Sequence, residues 1–516
     1  MDPKLASDVT LDLALKEGVC IRPVLHQVTD VQTGHTITVV MACRATRESR
    51  CPSCAAAARR VRMQQCAEGW HLEEEPDLDT RAAESAEDDE LADDDPADAG
   101  DEEEASRRTR STRRRSDSPD LPVRPAERRT IGQVYEGNLG RRYRPSMFVT
   151  LTLPSYGAIV QGRGVPVNPD EYDYRTAALD AMHFTKLLDR WVLSLRRCAG
   201  YKVQYFGAIE AQRRLAPHFH VALRGAIPRQ VIRQVTRATY TQIWWPTFDQ
   251  PVYCDGDEFP EWDGIDYLDP ATKWPLRTWD DALRELDDDL DAKPAHTLGF
   301  GRQLDIQGLL GGTPDADRSV RYLTKSIADT YTQDDVYDST YDAHISRLHD
   351  QVKILPCSPT CSNWLRYGIQ PKDAGPGLVP GTCSSNAHSW EDLGVGGRRV
   401  QVSRGWSNKT LAEHRADRSA VVRKVLEEAG YEPSDVDRMS TQALTDTGEP
   451  RYRWSAVTLP PEKATGAILD SILERRRWRA QYERAKTILN GTGPPVDSNS
   501  ATDPDDEEEG EHHVRC

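Results

Sequence analysis

The chain has 516 residues, 38% of them hydrophobic, and a formal net charge of −17. That length exceeds one ordinary domain. No apolar run approaches the ~18 residues that cross a bilayer, and no stretch near the N-terminus reads as a secretory signal, so a cytoplasmic protein with no membrane partner is expected. The acidity is local: residues 73 to 104 hold 18 acids and one Arg, residues 491 to 516 hold eight acids and one Arg, and the rest of the chain carries +7. A basic remainder fits a polyanionic partner such as nucleic acid.

Residues 1–72 read as an N-terminal four-cysteine zinc module. Cys51 and Cys54 have the C-x-x-C spacing that lets two thiolates chelate one tetrahedral ion, and Cys20 and Cys43 complete a set suited to structural Zn2+, with Cys66 or His35 able to replace one ligand. In a reducing compartment such clusters are metal ligands before they are disulfides. The module ends in an Ala/Arg-rich helix around residues 55–62. Residues 73–130 read as a disordered linker, first acidic and then rich in Arg107, Arg108, Arg110, Arg113, Arg114 and Arg115.

Residues 140–345 form the next domain. The β-branched run 146–154 is a strand stopped by Pro154, and Ala178, Ala181, Leu188, Trp191, Val192 and Leu195 recur at helical spacing between 171 and 198. Residues 202–210 and 217–224 alternate as two strands of a hairpin, joined by a connector with Arg213 and Arg214. Helices are expected over 226–240 and 315–332. Between them, residues 241–295 read as an irregular acidic insertion whose Trp244, Trp245, Trp262, Trp274 and Trp279 serve packing, with base stacking as the alternative.

Residues 346–410 read as a second zinc unit, Cys357, Cys361, Cys383 and His388, with spacings of four and five around a 21-residue loop. Two helices, 410–429 and 463–489, fill a C-terminal segment 411–490, stopped by Gly430 and Gly491. The acidic tail 491–516 is expected to be disordered.

Two patterns carry chemistry. In a strand alternate side chains share a face, so His218 and His220 project together with Ala222 while Phe219, Val221 and Leu223 project the other way. Glu210, on the partner strand, is a natural third ligand. Two nitrogens and a carboxylate with open positions suit Mg2+ or Mn2+. Tyr322 and Lys325, three apart on a helix, share a face on which the cation favours the phenolate.

Taken in order, Phe148 to Pro154, Glu210 with Pro217 to Gly225, and Val320 to Ser326 resemble the motifs of the HUH endonucleases that initiate rolling-circle replication. Within them the chain more closely resembles the replication initiators of actinobacterial plasmids and integrative conjugative elements, whose own segments residues 363–371 and 404–410 also resemble. The resemblance implies an α+β fold in which an HUH-type central antiparallel sheet carries packed helices, flanked by the zinc modules and the acidic segments. It implies a divalent ion on Glu210, His218 and His220, and attack by Tyr322 on a phosphate of single-stranded or melted origin DNA, with Lys325 offsetting charge. A 5′-phosphotyrosine and a priming 3′-hydroxyl result. Arg213, Arg214 and Arg224 flank the histidines as DNA contacts, and a host helicase and polymerase are further partners. Relatives often double the last motif as Tyr-x-x-Lys-Tyr-x-x-Lys, whereas here one copy precedes Ser326, with Tyr331 the next tyrosine available as nucleophile. A conjugative relaxase of the same chemistry, and a non-catalytic zinc-containing DNA-binding protein, are the alternatives.

Overall fold

The computed structural model describes residues 3–72, 121–125, 127, 129, 134–136, 142–210, 212–289, 291–311, 313–325, 338–429, 444–445, 448–457 and 461–490. The acidic tract, the arginine block at 107–115, Ser326, Tyr331, Gly430, Gly491 and the acidic tail lie outside them. In chain order the elements are α1 (Pro3–Glu17), β1 (Val24–Asp30), β2 (Thr36–Met41), α2 (Pro52–Trp70), β3 (Tyr135–Glu136), β4 (Arg142–Leu151), α3 (Tyr174–Ala199), β5 (Tyr205–Glu210) and β6 (His218–Arg224). There follow α4 (Arg229–Ala238), β7 (Tyr240–Ile243), β8 (Glu261–Trp262), β9 (Tyr267–Leu268), α5 (Trp279–Asp288), β10 (His296–Gly299), β11 (Leu304–Gly311), α6 (Pro314–Lys325) and α7 (Ser339–Ile354). The last are β12 (Val400–Val402), α8 (Leu411–Glu428), β13 (Tyr452–Val457) and α9 (Pro461–Leu489). The fold is α+β with antiparallel sheets, and no helix among the described residues is long and apolar enough to cross a membrane.

Two compact units result: residues 62–409, and residues 1–61 together with 410–516. The larger one is built on a sheet of order β11-β4-β6-β5-β12, with β3 also on β4 and every pairing antiparallel. All seven residues of the central strand β6 are buried. Val149, Leu151, Ile209, Phe219, Val221 and Leu223 turn to one face, where Phe184, Leu187, Leu188 and Trp191 of α3 and Leu348 and Val352 of α7 cover them. Fully burying a side chain such as Phe219 stabilises the unit by roughly 2 to 3 kcal/mol. Gly207 makes this fit, because a Cβ there would lie 2.2 Å from the Phe219 ring. Helix α3 begins at Asp173, whose carboxylate accepts from Thr176 N, and ends at Gly200 in the left-handed conformation, φ 72°.

Phe148, Phe206, Ala208 and Ala222 turn to the opposite face, under Cys66 and Trp70 of α2, under Trp406, and under Ala316, Val320 and Leu323 of α6. The i, i+4, i+7 spacing of those three residues lays α6 on the sheet. The region 241–295 departs from the irregular reading: β7 pairs with β10, β8 with β9, and α5 is a capped helix. Strands of two to four residues are too short to show a period. Trp245 and Trp279 are buried against Trp364, with ring centroids 5.8 and 4.9 Å apart, so they serve packing, while Trp274 is exposed. Residues 346–410 are likewise not a separate body. Cys361, Trp364, Tyr367 and Ile369 sit in the main core, and β12 extends the main sheet.

In the other unit described segments of 3–61 and 410–490 meet, which merges the expected 1–72 and 411–490 segments. β13 pairs with β1 and β1 with β2 in an antiparallel sheet that no local pattern announces. Ala14 and Val19 pack on Ile468 and Ile472 of α9, and Leu426 and Ala429 on Ala485.

Candidate metal and tyrosine centre

The hairpin register sets Glu210 directly across from His218, and His220 between Ala208 and Thr150 of its two neighbours. The two histidines and Glu210 therefore share the face of Phe148 and Ala222. His220 Nε2 lies 2.5 Å from Glu210 Oε2, and its Nδ1 lies 2.9 Å from the Thr150 hydroxyl. A carboxylate oxygen and an imidazole nitrogen this close need a positive bridge, a proton or a metal ion. The His218 ring meets that of His220 edge-on, centroids 6.2 Å apart. Burial, then the charges of Arg214 and His220, push its pKa down to about 3. It therefore stands as a neutral imidazole, the form a metal takes. The trio is more open than the cysteine sets below: its ligand atoms do not all lie within 4.8 Å of one another, and His218 Nε2 faces the Arg214 guanidinium at 3.5 Å.

Helix α6 brings Tyr322 across this face. Its ring stands 5.2 Å from the His220 ring at 84° and 6.0 Å from Phe148. Phe148 in turn stacks on His220 at 6.1 Å and 18°. Tyr322 remains 49% exposed. The expectation that Lys325 favours the phenolate is not what the surroundings produce: partial burial and the Glu210 carboxylate raise the Tyr322 pKa above its ordinary value. Phe148 and Thr150, which position His220, are visible in the sequence only as strand residues. Their pairing with β6 shows their part.

The three arginines separate. Arg213 is exposed at the mouth of the hairpin, its guanidinium 4.6 Å from the Tyr341 ring centroid and 3.6 Å from Asp338. Arg214 donates to the carbonyls of Leu153 and Pro154 at 2.9 and 2.8 Å, which fixes it beside His218. The next residue, Leu215, is buried at φ 58°, so the connector holds one strained residue in place by packing. Arg224 corrects the expectation of a DNA contact. It is 5% exposed, donates to Gly69 O at 2.6 Å, to Gly405 O at 3.1 Å and to Trp406 O, and lies under the Trp406 ring.

Both cysteine groups converge, with all four ligand atoms within 4.8 Å of one another in each. In the first, Cys20 and Cys51 are 3.9 Å apart between sulfurs, and Cys43 and Cys54 3.6 Å. A tetrahedron with Zn–S of ~2.3 Å has edges of ~3.8 Å, whereas a disulfide needs ~2.05 Å. In the second, Cys357 and Cys383 are 3.9 Å apart, and Cys361 Sγ lies 3.4 Å from His388 Nε2. The Nδ1 of His388 donates to Val352 O at 2.7 Å, which leaves Nε2 as the ligand atom. Both sets can hold a metal ion and are compatible with zinc. Cys66 and His35 are not members of the first set.

A family model described as replication initiator protein, pSAM2 (RepSA), matches residues 6–463. No curated protein and no solved structure matches the chain.

Proposed function

This chain belongs to the RepSA family of replication initiator proteins, and from that premise we propose that it is an HUH-type endonuclease that opens rolling-circle replication by nicking one strand of its origin through Tyr322. The observation that carries this reading is the tyrosine ring standing 5.2 Å from His220 on the face shared by Glu210 and His218. The Tyr322 oxygen attacks the scissile phosphorus, the bond from phosphorus to the 3′-oxygen breaks, and the tyrosine proton is lost as the 3′-hydroxyl gains one. The 5′ end stays on Tyr322, and the 3′-hydroxyl primes synthesis.

Glu210, His218 and His220 would hold Mg2+ or Mn2+, which when bound polarises a phosphate oxygen and cancels the Glu210 charge that opposes Tyr322 ionisation. Phe148 and Thr150 keep His220 facing the carboxylate. Arg213, Arg214 and Lys325 are the cations that meet the phosphates. The two cysteine groups are structural zinc sites.

The test is capture of a covalent adduct on a single-stranded origin oligonucleotide with Mn2+, followed by peptide mapping. Tyr322→Phe removes one oxygen, so nicking should fall at least about a thousandfold while the fold is kept. His220→Ala should be restored in part by excess Mn2+, and Tyr322→Phe by none. An adduct on Tyr331, or full nicking by Tyr322→Phe, overturns the assignment.

A further inference from the structure

The smaller unit holds a sheet face that the nicking chemistry does not use. Its register sets Gln27 opposite both Thr38 and Ser455, and Thr29 opposite both Thr36 and Arg453. Partners in an antiparallel ladder point to one side, so these six side chains form two cross-strand rows. Gln27, Thr36, Thr38, Arg453 and Ser455 are exposed, whereas Val28 and Val39, which alternate with them, are buried on the reverse side. A third row, Leu25 with Val40 and Val457, completes nine positions without a carboxylate. The rim carries arginines. Val24 pairs with Met41, so the exposed Arg22 and Arg44 emerge at that end, and the exposed Arg475 of α9 lines a cavity together with Pro23, Val40, Met41 and its neighbour Glu474. The described residues of this unit carry 21 Lys and Arg against 14 Asp and Glu. The ion pair of Arg451 with Asp30, 2.9 Å, and the bond from Val31 N to Arg451 O keep β13 in register.

We propose that this three-stranded sheet reads double-stranded origin DNA. Gln, Thr, Ser and Arg are the donors and acceptors that pair with base edges, and the major groove, ~12 Å wide, admits strands. A carboxylate-free face with arginines at its rim suits a phosphate-lined groove. The inference rests on the replication-initiator reading, to which it adds a duplex-binding site separate from the nicking centre.

The experiment uses the full chain in a selection from a random-sequence duplex library, followed by affinity for the enriched duplex and for its shuffled version. The variant Gln27→Ala/Thr38→Ala/Arg453→Ala changes exposed side chains only, and its melting temperature should match the parent. It should lose about tenfold or more in affinity for the enriched duplex, with little change on the shuffled one. Arg475→Gln should weaken both duplexes alike and lower the salt slope by about one. Nicking of a single-stranded oligonucleotide should be unaffected in both variants, so a failure of the Tyr322 chemistry shows in that assay and not in this one. The proposal is overturned if the triple variant enriches the same duplex with the same affinity, or if the parent enriches no duplex at all.

Discussion

Arg224→Met separates a buried strut from a DNA contact. The guanidinium satisfies three carbonyls, Gly69, Gly405 and Trp406, which come from segments on either side of the sheet residue that bears it. Met keeps the length and apolar stem but leaves those oxygens without their charged donor. An unsatisfied buried carbonyl costs about 1 to 3 kcal/mol, and water reaching one of the three reduces the sum, so a loss of about 3 to 5 kcal/mol is expected. At roughly 2 to 4 °C per kcal/mol for a large domain, the melting temperature of the 62–409 unit should fall by about 10 °C. Calorimetry reads that shift, and DNA affinity measured across salt concentrations gives the second observable. A phosphate contact would instead leave the melting temperature in place and reduce the slope of log affinity against log salt by about 0.7 to 0.9. A variant that melts within 2 °C of the parent, taken as roughly 1 kcal/mol or less, with a shallower salt slope would refute the strut argument.

Metal analysis of the purified chain should give close to two zinc ions, and Cys51→Ser should bring this to about one while unit 62–409 keeps its cooperative melting; a folded parent containing no zinc removes the claim. Trp364→Ala, at a fully buried ring wedged between Trp245 and Trp279, should destabilise that unit by about 3 to 5 kcal/mol in denaturant titration, and a loss under 1 kcal/mol, a fraction of what this cavity should cost, would contradict the packing described. Burial holds the His344 pKa at about 4 against 6.5, so the unfolded chain binds the extra proton: the stability is complete above pH 6.5 and declines as pH falls toward 4. His344→Gln keeps an acceptor for the Tyr174 hydroxyl and should flatten that decline by up to about 3 kcal/mol in total, read as urea midpoints between pH 4 and 7. An unchanged pH slope would show that His344 is not buried neutral.

What the sequence discloses follows the range of each interaction. The sharing of a face by His218 and His220, and the place of Glu210 beside them, depend on a period of two and a short connector, both local. The same holds for Cys51 with Cys54 and for the helix that bears Tyr322. Arg224 reads as a DNA contact because it ends an apolar strand as a surface cation would; nothing nearby announces that Gly69, 155 residues away, and Trp406, 182 residues away, close over it. Of the tryptophans of 241–295, Trp245 and Trp279 pack on each other and on the distant Trp364, whereas Trp262 packs on Tyr267 in another cluster and Trp274 is exposed, a division that no local spacing shows. The helix of Tyr322 is legible from its own residues, but the raised pKa depends on Glu210, a neighbour that exists only after the sheet forms.

The same contrast of ranges explains why a metal suits the smaller unit. β1 finds β13 only across the length of the chain: Asp30 and its partner Arg451 are 421 residues apart, whereas Cys20 and Cys51 are 31 apart. Loop-closure entropy grows as three-halves RT ln n, so the distant pairing costs about 2 kcal/mol more than the near one. A small β1–β2 hairpin is marginal by itself, and the core it shares with α1 and α9 is confined to residues such as Ala14, Val19, Ile468 and Ile472. An ion held by Cys20, Cys43, Cys51 and Cys54 would clamp the two ends of that hairpin to the start of α2 through local contacts alone. The hairpin is then in place as a template when β13 arrives, and the entropy of the long closure is met by a strand already ordered. On this argument the cysteine cluster supports the sheet face from a distance, by fixing β1 and β2 before the third strand completes it.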